Sequence, residues 1–183
     1  MLSTVSSRLR TFPLARLMGV ALFVAFTALT ARITIPLPFT PVPITLQVMA
    51  VLLSGLVLGP RAGAASQLVY LAAIAAGLPL DARALGAAAL VGPTAGYLIG
   101  FVPAAFVTGW LAQRLSSTRA SRFVAALAGV AVIYAVGAAW LAPMVGGLGA
   151  AWTLGVAPFV LIDLGKALVA ALVAESGRWL LSQ

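Results

Sequence analysis

The sequence predicts an all-α integral membrane protein with six transmembrane helices and both termini in the cytoplasm. Of its 183 residues, 63% are hydrophobic and 8% are charged, and the mean hydropathy is +1.15. Soluble domains carry about 25% charged residues. The chain also divides into six apolar runs, and its arginines gather at alternate ends of those runs. These observations predict the class, the number of spans and the orientation.

The six runs are delimited by proline, glycine and charged residues. A membrane helix needs about 20 mostly apolar residues. The runs that reach or approach this length span residues 14–35, 44–58, 62–78, 94–113, 123–143 and 154–181. The first run is too long for the apolar core of a cleaved signal peptide, so we expect it to be retained. We therefore expect one membrane domain over residues 1–183.

The arginines predict the orientation of these spans. One side carries Arg8, Arg10, Arg16, Arg61, Arg114, Arg119, Arg122 and Arg178, and the other carries Arg32 and Arg83. Positively charged residues favour the cytoplasmic side, so both termini are predicted to be cytoplasmic. This arrangement also explains the net charge of +8 without a nucleic-acid partner. The expected surroundings are a lipid bilayer.

The composition argues against an enzyme. The chain has no cysteine and no histidine, which removes thiol-based metal and redox sites and the usual proton shuttle near neutral pH. The sequence around Lys166 lacks the glycine and hydroxyl positions of a phosphate-binding loop, so ATP binding by that route is not predicted. We expect no catalytic residue, metal or cofactor.

The first outer loop is rich in proline. Residues 35–47 read IPLPFTPVPITLQ, with four prolines between positions 36 and 43. Proline fixes φ and removes a donor, so this loop must be stiff and extended. We favour a lid over an outward-facing pocket, with Phe39 as a covering side chain. The alternative is a tight turn packed on the membrane surface.

The third connection carries a second candidate group. It brings Asp81, Arg83 and Tyr97 toward the same face, beside Gly92 and Gly96 at the start of the fourth helix. Free N–H groups at a helix start favour an anionic ligand group. Glycine-rich membrane segments also serve as packing surfaces, and the sequence leaves both possibilities open.

Asp163 and Lys166 form the main candidate site. If the last helix begins near Leu154, Asp163 lies roughly 13 Å along it, and residues three apart share a face. A charge at the bilayer centre costs about 2.5–3.5 kcal/mol, so a buried pair indicates function. The alternative is a self-neutralising ion pair. Glu175 and Arg178, near the cytoplasmic end, are interpreted as a surface pair.

Two alanines mark a further surface on the first span. Ala21 and Ala25 are four residues apart, and such small-residue pairs allow another helix to approach closely. The approaching helix could belong to this chain or to a partner.

Together these features resemble a known family across essentially the whole chain. The segments PFTPVPITLQ (38–47) and GPTAGYLIGF (92–101), the Asp163/Lys166 pair and six spans in a short chain are similar to the BioY family, the biotin-specific S components of energy-coupling-factor (ECF) vitamin transporters. The resemblance implies a compact six-helix S-component bundle in the bacterial plasma membrane. It also implies high-affinity biotin binding under the first outer loop.

The resemblance implies partners as well. An Ala-xxx-Ala surface at Ala21 and Ala25 would contact a transmembrane coupling subunit, and ABC-type ATPase subunits would hydrolyse the ATP. Gln47, within the first matching segment, is expected at the biotin site.

The chemistry of biotin suggests a role for each charged residue. The ureido group presents two N–H donors and a carbonyl oxygen, so we predict that Asp163 accepts from N–H and Lys166 donates to the oxygen. The valerate carboxylate is then left to Thr94, Tyr97, Arg83 or backbone N–H groups. A competing assignment places Lys166 on the carboxylate.

Two other functions stay open at this point. A proton-coupled secondary transporter of another vitamin-like solute would need a proton gradient and no ATPase. A non-transporting membrane scaffold would bind no small molecule and would tolerate leucine at both 163 and 166.

Overall fold

The computed structural model describes residues 3–116 and 118–181, with side chains described for 14–116 and 118–176. Arg8, Arg10 and Arg178, three of the arginines that predict the orientation, lie outside the described side chains. The described chain is mostly helical. Its helices are α1 Ser3–Ala31, α2 Gln47–Leu58, α3 Pro60–Ala75, α4 Ala95–Arg114, α5 Arg119–Val145, α6 Leu148–Gly155 and α7 Val160–Leu181, with strands β1 Thr34–Ile35 and β2 Ile44–Thr45 and 3₁₀ turns at Gly86–Leu90 and Ala157–Phe159.

Four stretches of the described residues are long and apolar enough to cross a bilayer. They are Leu14–Ala31, Ala95–Arg114, Arg119–Val145 and Leu148–Ser176. The apolar helix α2 has 12 residues, or about 18 Å of length, and α3 has 16. Both are shorter than a hydrocarbon core of about 30 Å. The protein is thus a helical membrane protein that combines long and short helices.

The helix ends follow local backbone chemistry and differ from the limits of the apolar runs. α1 ends at Ala31, before the end of the predicted run at residue 35. α5 begins at Arg119, four residues before the predicted start, because the Thr118 side chain accepts a hydrogen bond from the Ser121 N–H at 3.2 Å. Hydropathy does not detect such a cap, whereas a hydroxyl at this position satisfies a free donor of the first turn.

The first loop, residues 32–46, is a short hairpin. Thr34 pairs with Thr45 and Ile35 with Ile44 in antiparallel register. The ladder stops there because Pro36 and Pro43, the next residues inward, have no N–H to donate. The ladder therefore consists of these two residue pairs, and residues 36–43 form the tip of the hairpin.

Small residues bring the central helices into close contact. A Cβ atom on Gly109 of α4 would lie 2.6 Å from the Pro60 nitrogen and 2.7 Å from the Gly55 oxygen, so the α2–α3 turn packs directly on the α4 backbone. Gly59 in that turn has φ +79°, a conformation that glycine adopts without strain. Such backbone contact is typical of membrane helix packing.

A buried polar network joins α1, α2 and α3. The Gln67 amide nitrogen lies within hydrogen-bond distance of three hydroxyl oxygens, Thr27 Oγ1 at 3.3 Å, Ser54 Oγ at 3.3 Å and Ser66 Oγ at 3.1 Å, and its two N–H groups are shared among them. All four residues are fully buried. Hydrogen bonds of this kind between helices fix their register in an apolar surrounding.

Candidate functional site

A cavity gathers residues from five separated parts of the chain. Its wall combines the second half of the first loop, the α3–α4 loop (residues 76–94), the start of α4, the middle of α5 and the α6–α7 junction with the first turns of α7. Its volume is about 70 Å³, several times the roughly 10–15 Å³ that one water needs. An apolar wall with a few converging polar groups is the usual form of a small-molecule site.

Asp163 and Lys166 of α7 line this cavity and contact each other. Lys166 Nζ donates to Asp163 Oδ1 at 2.6 Å, and the lysine and aspartate side chains are 7% and 4% exposed. The spacing of three residues places both groups on one side of the helix. At this degree of burial each charge depends on the other for compensation.

Tyr134 of α5 makes a hydrogen bond to this pair. Its hydroxyl donates to Asp163 Oδ2 at 2.7 Å, so each carboxylate oxygen accepts one hydrogen bond from the protein. A carboxylate has about four lone-pair sites, and a lysine ammonium has three donors. Asp163 can therefore accept further hydrogen bonds, and Lys166 has donors beyond the one that it gives to Asp163.

The break between α6 and α7 sets the position of Asp163. The apolar run predicted as one helix from residue 154 is divided, because Pro158 cannot donate a hydrogen bond within a helix. α7 begins at Val160, and Asp163 lies in its first turn instead of nine residues along a continuous helix. A carboxylate near a helix N-terminus is favoured by the helix dipole.

Tyr97 of α4 links the cavity wall to this break. Its hydroxyl donates to the Gly155 carbonyl at 2.9 Å. The ring packs directly against Gly137 of α5, where a Cβ atom would overlap the ring carbons. The absence of a side chain at position 137 therefore sets the place of the ring in the cavity.

Gln47 and Thr94 line other parts of the wall. Gln47, at the start of α2, donates from its amide to the Tyr70 hydroxyl at 2.7 Å, and Tyr70 donates to the Leu80 carbonyl at 3.0 Å. Thr94 precedes α4, and its hydroxyl makes no capping hydrogen bond to that helix. The Thr94 hydroxyl can therefore interact with a molecule in the cavity.

The first loop is fastened over the cavity at two points. Thr40 Oγ1 donates to the Leu154 carbonyl at 2.7 Å, and the Arg83 guanidinium donates to the Pro41 carbonyl. Asp81 shapes the loop that carries Arg83: it is 4% exposed and accepts from the Arg83 and Gly86 backbone N–H groups at 3.0 and 2.9 Å. The Thr40 and Arg83 contacts thus join the first loop to other segments that surround the cavity.

The structure brings together most of the residues predicted for a ligand. Lining the cavity are Asp163, Lys166, Tyr97, Thr94, Gln47 and Arg83. Phe39 is not among them: it lies at the hairpin tip with 59% of its surface exposed, whereas Val42 and Pro43 of the same loop line the wall.

The two alanines of α1 lie elsewhere. Ala21 and Ala25 are exposed on a face of α1 and are not part of the cavity wall. The described residues also contain no cluster of three or more histidine, cysteine or acidic side chains that could hold a metal.

Sequence reasoning missed Tyr134, Tyr70 and Thr40. Tyr134 is a lone phenol in an apolar helix, and a polar atom in such a run was a usable signal because it requires a partner when buried. The partner itself, 29 residues away in sequence, depends on how α5 packs on α7. For Thr40 the sequence shows only a hydroxyl residue in a proline-rich loop, with no indication of its hydrogen-bond partner.

Comparison with known proteins gives consistent matches. The family model described as the BioY family matches residues 4–183. A probable biotin transporter BioY from Pyrococcus horikoshii is 43% identical over 157 residues, which cover 85% of this chain and 91% of the relative. The biotin transporter BioY from Thermotoga maritima is 43% identical over 160 residues, covering 87% of this chain and 93% of that protein.

A solved structure matches the fold. A crystal structure of the S component for biotin from an ECF-type ABC transporter superposes with a TM-score of 0.85 at 29% identity. The match covers 92% of this chain and 93% of the other chain. It therefore extends over nearly all of both chains.

Proposed function

This chain belongs to the BioY family, and we propose that it binds biotin in the cavity as the S component of an ATP-driven ECF transporter. The chain itself supplies substrate recognition in the membrane. ATP hydrolysis belongs to ABC-type ATPase subunits, and a transmembrane coupling subunit connects them to this chain.

The observation that carries the proposal is the buried Asp163–Lys166 pair on the cavity wall. Replacing a buried ion pair with apolar residues is often neutral or stabilising, so stability alone does not account for these charges. A cyclic urea matches them: Asp163 has lone pairs left for the ureido N–H groups, and Lys166 has donors left for the ureido oxygen. Tyr134 of α5 supports this role because its hydroxyl donates a hydrogen bond to the second carboxylate oxygen of Asp163.

The valerate carboxylate is assigned to the wall away from α7. Thr94 and Arg83 line the cavity on separate segments, and both carry donors suited to a carboxylate. Lys166 is held by Asp163 at 2.6 Å, which favours its use at the ring end of biotin. The competing assignment places Lys166 on the carboxylate.

The proposed topology has six crossings with both termini in the cytoplasm. α1 to α5 provide five crossings, and α6 and α7 together provide the sixth. Arg16, Arg61 and Arg114 then lie on the cytoplasmic side, and the cavity opens outward beneath the first loop. The positive-inside rule supports this orientation in a bacterial plasma membrane.

The coupling subunit is proposed to dock on α1. Within its 18-residue apolar window, only 17% of the residues are buried inside the protein, and Ala21 and Ala25 are exposed. A stripe of small residues on such a face allows a partner helix to approach closely.

Equilibrium binding of labelled biotin to purified, detergent-solubilised protein tests the function. Saturable binding in the absence of partners and of a proton gradient is expected, and uptake should require the ATPase subunits. Absence of binding by folded protein would reject the biotin assignment. Uptake driven by a proton gradient alone would indicate a secondary transporter.

A comparison of biotin with biotinamide by Lys166→Ala protein tests the assignment of roles. If Lys166 binds the ureido oxygen, the substitution weakens both ligands by the same factor, because they share the ureido ring. If the substitution weakens biotin and leaves biotinamide unaffected, Lys166 binds the carboxylate and our assignment is wrong.

A further inference from the structure

A groove between α1 and α3 has a charged end and an apolar floor. Two arginines, Arg16 of α1 and Arg61 of α3, line it together with Leu17, Val20, Ala65 and Val69. It is open to the surroundings and has a volume of about 650 Å³. We call it the α1–α3 groove. It shares no lining residue with the cavity that contains Asp163.

The acidic residues of this chain are all engaged elsewhere. The sequence contains three of them. Asp163 pairs with Lys166, and Glu175 pairs with Arg122 of α5. Asp81 accepts two backbone N–H groups in the α3–α4 loop. An anion bound by the two arginines of the α1–α3 groove would therefore come from outside the chain.

The shape of the groove indicates which anion fits. On both helices, apolar residues follow the arginine in chain order: Leu17 and Val20 follow Arg16, and Ala65 and Val69 follow Arg61. A free inorganic phosphate would use only the charged end. An anionic phospholipid would use both, with its phosphate on the arginines and its glycerol and acyl groups on the apolar floor. Basic pockets between membrane helices recognise such headgroups.

The groove also differs from the surface proposed for the coupling subunit. At 100° per residue, Ala21 and Ala25 lie roughly 110° around α1 from the face formed by Arg16, Leu17 and Val20. The two surfaces adjoin on α1 at Leu17 and Ala21, which are four residues apart. We propose that the α1–α3 groove binds one anionic phospholipid through its phosphate.

Native mass spectrometry of the purified full chain, titrated with phosphatidylglycerol or phosphatidylcholine, tests this proposal. The double variant Arg16→Gln/Arg61→Gln removes the charges of the groove. Arg114→Gln/Arg119→Gln is the matched control, because it makes the same change in net charge at residues outside the groove. Ala65→Phe keeps both arginines and fills the apolar floor. Gel filtration and thermal unfolding verify that each variant is folded.

Wild type and the matched control are expected to retain one phosphatidylglycerol in preference to phosphatidylcholine. The Arg16/Arg61 variant should bind phosphatidylglycerol about 30-fold more weakly, since each arginine near an anionic lipid contributes about fivefold. Ala65→Phe should also lose the lipid. Unchanged binding in the Arg16/Arg61 variant, or an equal loss in the control, would overturn the proposal. Displacement of the lipid by millimolar inorganic phosphate would also overturn it and would assign a free-anion site instead.

Discussion

Replacing Asp163 with asparagine separates recognition of the ureido ring from general stability. The substitution keeps the size of the side chain but removes its charge and one acceptor oxygen. Asp163 accepts hydrogen bonds from Lys166 at 2.6 Å and from Tyr134 at 2.7 Å, and we propose that it also accepts from a ureido N–H. A hydrogen bond to a charged group contributes about 1.5–3 kcal/mol. Loss of the one to biotin should therefore weaken binding roughly 10- to 150-fold.

The same substitution leaves Lys166 buried without its counterion, so thermal stability should fall as well. Glu175→Gln is the matched control for this effect, because it removes a carboxylate from the same helix and breaks the ion pair with Arg122. Titration calorimetry measures the biotin affinity of both variants. Wild-type biotin affinity in Asp163→Asn protein, or an equal loss of affinity in Glu175→Gln protein, would refute the proposed role of Asp163.

Three further predictions concern the wall, the lid and the partner surface. Gly137→Ala forces a Cβ atom into the tyrosine ring that lines the cavity and should weaken biotin binding about tenfold, an effect of overpacking. Gly165→Ala, with no atom within 4 Å of the new Cβ, should not. Thr40→Val removes a 2.7 Å hydrogen bond from the first loop and should speed biotin release about 2- to 10-fold in stopped-flow measurements. Ala21→Leu/Ala25→Leu should leave biotin binding intact and abolish ATP-dependent uptake by blocking close helix contact.

Each of these predictions has a contrary outcome. Equal effects at positions 137 and 165 would show that the tyrosine ring does not set the shape of the site. An unchanged release rate in the Thr40 variant would mean that the first loop does not hold the ligand. Normal uptake by the double alanine variant would place the coupling subunit on another surface.

The sequence predicts the helical membrane class and the charged pair because both depend on local pattern. A run of apolar residues needs no tertiary information to be recognised, and a carboxylate and an ammonium three residues apart share a helix face in any fold. The sequence also contained a signal for the break between α6 and α7, because Pro158 interrupts a helix. Hydropathy alone runs through that proline, and for this reason the prediction of one continuous helix from residue 154 was wrong.

Contacts between distant helices could not be predicted in the same way. Glu175 pairs with Arg122 from α5, whereas Arg178, the partner that the spacing suggests, lies outside the described side chains. Tyr134 contacts Asp163 for the same reason: the packing of α5 on α7 decides which side chains meet. Phe39, expected to cover the cavity, lies at the hairpin tip with 59% of its surface exposed and does not line the cavity wall.

A crystal structure of the biotin complex tests the central claim most directly. The measured quantities are the distances from the ureido nitrogens to the Asp163 carboxylate and from the ureido oxygen to Lys166 Nζ. We predict that both are about 2.7–3.1 Å, with the valerate chain directed toward Thr94 and Arg83. A ring bound elsewhere, with Asp163 and Lys166 contacting only each other and Tyr134, would contradict the account.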